Sequence, residues 1–306
     1  MASTVSGAGE AAAPPAARLL FAQHGWADTN GTMLRFGRAL GEPCDVVVAP
    51  NLGYVRTWQH IAPLVDHVDA EAARVLDQKP TAPVLIVGHS LGGLIWLEVL
   101  DRHPEWWPRI HGLALIASPV GGTRLGRYLD PTGLSIGRDL QVNRRALAER
   151  VAAGIPCLTI AGDLFLGRDG TVSIASTQFA HARPIVLPHI SHAGLVRSET
   201  VRRLVRVFFR EPRPPETDVA AIIPRLAALR GSGAGDPRGC WWARAALQFW
   251  DGYSVRLLEG PIGARQVFVA DNLAHCLYAR TVDHPGVPAL QRTLRDLRQE
   301  LAAQLV

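Results

Sequence analysis

Along this chain, short apolar runs alternate with stretches whose apolar residues recur every three or four positions. "RLLFAQHG" (Arg18–Gly25) and "DVVVAPNLG" (Asp45–Gly53) are apolar throughout and end in turn residues, so each predicts a buried strand. Between them, residues 29–40 carry a modest helical pattern. Ile61, Leu64, Val65, Val68, Ala72, Val75 and Leu76 then fall at helix spacing, and Pro80 closes that segment. "APVLIVGHS" predicts a third strand, and Leu94, Ile95, Val99 and Leu100 mark a helix that stops at His103-Pro104. "RIHGLALIASP", "IPCLTIAGD" (Ile155–Asp163) and "RPIVLPHIS" (Arg183–Ser191) predict three more strands. Val201, Leu204, Val205, Phe208 and Phe209 form the next helix stripe. Strands that are apolar on both faces, separated by helices, predict an α/β protein with a mostly parallel sheet covered by helices on both sides.

The pattern changes at the charged, proline-rich "REPRPPE" (Arg210–Glu216), which predicts a boundary. Residues 217–229 read as helical and "GSGAGDPRG" (Gly231–Gly239) as a linker or loop. "GYSVRLLEG" and "ARQVFVADNLAHCLYARTV" predict two or three pairing strands, and Leu290, Leu294, Leu297, Leu301 and Leu305 a closing amphipathic helix. The expected organisation is a disordered leader over residues 1–17, an α/β domain over 18–210 and a small α+β C-terminal appendage over 211–306.

Composition narrows the class. Apolar residues make up 48 % of the 306 positions, enough for a large core. The net charge of +5 is mild and almost entirely arginine, Lys79 being the one lysine; these arginines are scattered, which argues against nucleic acid as a partner. Cys44, Cys157, Cys240 and Cys276 lie far apart with no C-x-x-C pair, which suits a reducing compartment. The leader has no basic and apolar signal pattern, and no apolar run approaches a membrane span of ~20 residues; the expected location is the cytoplasm. No His/Cys/Asp cluster has ligand spacing, so no metal is expected.

The chemistry is written at "GHSLGG". Gly88-His89-Ser90-Leu91-Gly92 follows a strand and opens a helix, the context in which G-x-S-x-G forms a nucleophile elbow. The tight turn needs glycine at both flanks, and it lifts the serine hydroxyl above the C-terminal edge of the sheet. A serine needs a base, and the chain order expected for this elbow is Ser, acid, His. His192, in the loop after the sixth strand, is the favoured base, with His189 as its competitor. After the fifth strand come Asp163 and Asp169; Asp169, which begins "DGTVS", is preferred as the acid, and Asp163 is the alternative. The backbone N–H groups of Leu91 and Trp26 are candidates for an oxyanion hole, and His24 is read as a brace for the Trp26 loop. Trp58, Trp106, Trp107 and Leu125 are candidate pocket or mouth residues.

"HGW" after the first strand, "GHSLGG", "DGTV" and "SHAGL" together resemble the α/β-hydrolase superfamily in its lipase- and esterase-like branch, over residues 18–209. The resemblance implies a cofactor-free Ser-His-Asp hydrolase, usually of carboxylic esters. In compact lipase-like members the acid and base motifs match Asp169-Gly170-Thr171-Val172 and His192-Ala193-Gly194-Leu195. The partner is then a small-molecule or lipid acyl ester, and the modest length of residues 121–154 implies a small cap or none. An acyltransferase or thioesterase using the same triad is the rival enzyme reading, and a non-catalytic binding module the rival from another class. The oligomeric state is not legible in the sequence.

Overall fold

The structure is a computed structural model that describes residues 17–123, 135–212, 216–229 and 233–306. The expected leader, apart from its last residue, and Leu125 lie outside the described residues. Six strands build one sheet: β1 (Leu19–Gln23), β2 (Val46–Val48), β3 (Val84–His89), β4 (Ile110–Ile116), β5 (Cys157–Asp163) and β6 (Ala182–Pro188). Their order is β2-β1-β3-β4-β5-β6 and every pairing is parallel.

The strands are apolar at consecutive positions because each face meets its own helical layer. Leu19, Phe21, Val84 and Ile86 join one buried cluster with α2 (Ala62–Gln78) and α3 (Leu91–Arg102). Leu20, Ala22, Leu85 and Val87 point the other way, into a cluster with α1 (Asn30–Leu40) and the Val201–Phe209 stripe. The period-2 alternation of strand side chains splits one apolar run between two cores. On the return from β4 to β5 lie α4 (Ile136–Asp139) and α5 (Arg145–Gly154). Two single-turn helices follow, α6 (Ile174–Thr177) and α7 (His192–Leu195), and the stripe itself is α8 (Glu199–Arg210).

The C-terminal segment forms a second, antiparallel sheet in the order β7-β11-β10-β9-β8. Its strands are β7 (Gly233–Ala234), β8 (Arg244–Gln248), β9 (Ser254–Glu259), β10 (Arg265–Ala270) and β11 (Cys276–Val282). Helices α9 (Val219–Ala227) and α10 (Val287–Glu300) pack with it around Phe249, Val267, Val269, Leu290 and Leu297. Three expectations are corrected here. The stretch read as a linker holds β7 and a 3-10 turn at Pro237–Trp241. Strand β8 was not anticipated, because "RAALQ" shows no alternation; it is recruited by pairing with β9. The closing helix stops at Glu300, and Leu305 instead bridges Phe249.

The second sheet docks on β6, the last strand of the first. Val186 N–H donates to the Asn272 carbonyl (2.7 Å), and the Asn272 side-chain amide donates to the Pro184 carbonyl (2.9 Å). The sheet edge at β6 is thereby covered rather than left as an open template.

Candidate active site

Ser90 stands between β3 and α3 with φ 54° and ψ −122°, outside the regions a non-glycine residue ordinarily occupies. Its neighbours must come close for this turn to close. A Cβ at Gly92 would lie 2.5 Å from the Gln23 carbonyl oxygen, so helix α3 starts in contact with the end of β1. A Cβ at Gly25 would lie 3.0 Å from Ser90 Cβ and 3.2 Å from Leu91 N, which puts the loop after β1 directly against the elbow. Side chains larger than hydrogen at either place would push Ser90 away from that loop.

That loop is braced by His24, which is fully buried. Leu52 N–H donates to His24 Nε2 (3.0 Å), so the ring proton sits on Nδ1, which donates to the Gly25 carbonyl (3.0 Å). Burial holds the imidazole below its ordinary pKa, against weaker raising effects of the Gly25 hydrogen bond and Asp28. The neutral ring ties the loop after β1 to the loop after β2. Among the described hydrogen bonds, neither Trp26 N–H nor Leu91 N–H has a partner. The positive end of α3 lies at the Leu91 amide.

On the other side of Ser90, Asp169 is buried and its Oδ1 accepts Thr171 N–H (2.9 Å) and Val172 N–H (2.7 Å). Its Oδ2 accepts His192 Nδ1–H at 2.7 Å, and the His192 N–H donates back to the Asp169 carbonyl (2.9 Å). Burial raises the Asp169 pKa, but the hydrogen bond and charge of His192, with the two loop amides, outweigh it and hold the carboxyl below its usual range. His89, between the elbow glycine and Ser90, is buried and packs its ring 4.7 Å from that of His192. Its Nε2–H donates to the His192 carbonyl (3.3 Å). Burial, and then the proximity of His192, push His89 down to about 3, so it stays neutral beside the His192 ring. Among the described residues Ser90 Oγ makes no hydrogen bond.

The two residues weighed as alternatives sit elsewhere. Asp163 Oδ1 accepts Gly167 N–H (3.0 Å), and its Oδ2 accepts the Trp241 indole N–H (3.1 Å). His189 Nε2–H donates to the Trp241 carbonyl, and its ring lies edge-on against Trp241 (4.3 Å), with Trp242 further off (6.1 Å). Both therefore hold the C-terminal segment against the rim of the site. Sequence reasoning did not single out Trp241; nothing in the local pattern marks a tryptophan that bonds across to the end of β5. Trp58 packs edge-on against Trp26 (4.5 Å) beside the elbow. Trp106 and Trp107 do not approach it: they precede Ile110 at the start of β4, at the opposite edge of the sheet, where Trp106 stacks on His103. Among the described residues no group of three or more His, Cys, Asp or Glu is arranged to hold a metal ion. No helix among them is long and apolar enough to cross a membrane.

The family model described as Hydrolase_4, serine aminopeptidase S33, matches residues 15–150, a span that includes Ser90 and ends before Asp169 and His192. The chain is similar to the mature form of the lipase BlEst2 of Bacillus licheniformis at 14 % identity, covering 66 % of this chain and 94 % of that one, with TM-score 0.50. It is similar to the propeptide form of the same lipase at 13 % identity, covering 84 % of this chain and 57 % of that one, with TM-score 0.51. It is also similar to Est1E from Butyrivibrio proteoclasticus at 16 % identity, covering 65 % and 89 %, with TM-score 0.49. A search of curated proteins finds no match. These likenesses show the fold: a mostly parallel six-stranded sheet with helices on both faces, of the α/β-hydrolase type.

Proposed function

We propose that this chain is a serine hydrolase of carboxylic esters, with Ser90 as nucleophile, His192 as general base and Asp169 as the acid that orients it. The observation that carries the reading is the 2.7 Å hydrogen bond from His192 Nδ1 to a buried carboxylate, on loops at the same sheet edge as a strained Ser90 elbow. That bond fixes the proton on Nδ1 and leaves Nε2 as the basic nitrogen. Ser90 Oγ attacks the acyl carbon as His192 Nε2 takes its proton, and the carbonyl electron pair moves to oxygen. The free N–H groups of Leu91 and Trp26 are suited to hold that oxyanion. Collapse of the tetrahedral species expels the alcohol, which receives the proton from His192. Water then attacks the acyl-enzyme by the same route in reverse. Neutral His89 adds no positive charge beside the imidazolium that forms.

The test is labelling with a fluorophosphonate probe of wild type, Ser90→Ala and His192→Ala, each checked by melting curve. Labelling of wild type alone supports the reading; a folded wild type that takes no label overturns it. A panel of p-nitrophenyl esters of increasing chain length, an acyl thioester and an aminoacyl anilide then separates esterase from thioesterase and from peptidase, the last because the matching family model is described as an aminopeptidase.

A further inference from the structure

The mouth of the site is ringed by apolar side chains that the fold leaves in solvent. Seven of the eleven large exposed hydrophobic residues among those described lie on loops at this one edge. They fall in three places. After β2, "YVRTW" presents Tyr54 (51 % exposed) and Val55 (73 %). After β5, "LFLGR" presents Phe165 (62 %) and Leu166 (80 %). From the second sheet, Trp242 (64 %) stands edge-on against Trp241. Strands β2 and β5 are each two places from β3 in the sheet order, on opposite sides, so the first two loops flank Ser90.

The Phe165–Arg168 turn is held open to solvent at a conformational cost. Arg168 N–H donates to the Phe165 carbonyl (3.2 Å) and Phe165 N–H to the Arg168 carbonyl (3.1 Å). Leu166 and Gly167 at its tip have φ 51° and 75°. Two positive φ angles at the centre of a tight hairpin call for Asn, Asp or Gly at the first place. A leucine there is strained, and its side chain packs on nothing that would repay the strain. A local rule broken without a folding gain marks a functional surface.

Charge selects the occupant. Arg56 and Arg168 sit within the two loops, exposed and in no ion pair among the described residues. The acids of the second loop are engaged internally: Asp163 by Gly167 and Trp241, Asp169 by His192 and two backbone amides. Apolar tips with free arginines and no free carboxylate in either loop match an interface of acyl chains beneath anionic headgroups. We infer that the rim formed by the Tyr54–Trp58 loop, the Phe165–Arg168 turn and Trp242 docks on an anionic lipid surface, seating the mouth of the site against it. This goes beyond the ester-hydrolase reading and does not depend on turnover.

The experiment is vesicle flotation of the full chain, using phosphatidylcholine vesicles with and without about 30 mol % phosphatidylserine. Wild type is expected to float with the anionic vesicles and to be released by high salt. Arg56→Gln with Arg168→Gln is expected to lower the partition coefficient about thirtyfold. Val55→Asn with Leu166→Asn is expected to abolish flotation, while the melting temperature does not fall, because asparagine suits the Leu166 backbone better than leucine. Fluorophosphonate labelling of all variants should equal that of wild type, which keeps this test separate from that of catalysis. Failure of wild type to float, flotation undiminished in the Val55/Leu166 variant, or a dimer that this variant dissociates, would each overturn the inference.

Discussion

Asp169→Asn is the sharpest probe of the site, because it turns one acceptor oxygen into an NH2 donor, removes the charge and changes almost no volume. The asparagine oxygen can still accept Thr171 N–H and Val172 N–H, which the carboxylate binds at 2.9 and 2.7 Å, so the loop should keep its shape. The other terminus becomes NH2 and faces His192 Nδ1, where a hydrogen bond of 2.7 Å now runs from ring to carboxylate. Two donors cannot share that contact. The ring must move its proton to Nε2, and the nitrogen that should receive the serine proton is then already protonated. A triad with an amide in place of its acid loses roughly 10⁴ in kcat, about 5.5 kcal/mol of transition-state stabilisation. Folding should change by no more than about 1 kcal/mol, since the two loop hydrogen bonds survive. Asp169→Ala, which orphans both amides, should destabilise by roughly 2–3 kcal/mol. The assay is kcat/KM on a short ester together with the rate of fluorophosphonate inactivation, alongside a thermal melt. In a His192→Ala background, Asp169→Asn should cause no further loss, because the two act as a unit. An Asp169→Asn enzyme that melts normally and keeps more than about a tenth of its rate would refute the role given to Asp169.

Two further outcomes follow from burial and close contact. His89 is held near 3 in the folded protein by burial and by His192, against about 6.5 when unfolded, so the unfolded chain binds the extra proton first. Stability tied to His89 is therefore complete above about pH 6.5 and is lost as pH falls towards 3; His89→Gln should flatten the fall of the urea midpoint over that range. A Cβ at Gly92 would sit 2.5 Å from the Gln23 carbonyl oxygen, whereas one at Gly31 in α1 finds its nearest neighbour at 3.8 Å. Gly92→Ala should thus destabilise by roughly 3 kcal/mol and Gly31→Ala stabilise by roughly 0.5 kcal/mol, both read from thermal melts.

Much of the first sheet was legible in the sequence because its physics is local and periodic. Consecutive apolar residues in "RLLFA" and "VLIVG" can be buried only by a strand with cores on both faces, and the clusters around Phe21 and Leu20 are those two cores. The elbow was legible because glycines around a serine, between a strand and a helix, have few other uses; Ser90 at φ 54° is the backbone those glycines permit. The small edge strand β8 was not legible, since its residues become a strand only when β9 offers them hydrogen bonds. Chain order and loop position could rank His192 over His189 and Asp169 over Asp163, but not show what each touches. In the fold His192 lies on Asp169, while Asp163 and His189 both lie on Trp241, from a segment whose pattern gives no hint of that meeting. The sequence by itself determined the alternation of strands and helices, the parallel sheet and the place of Ser90, because backbone hydrogen bonding and hydrophobic periodicity act over a few neighbouring residues. Only the tertiary structure decided which carboxylate meets which imidazole, which edge holds Trp106 and Trp107, and which apolar side chains stay in water, because those depend on distances between residues far apart in the chain.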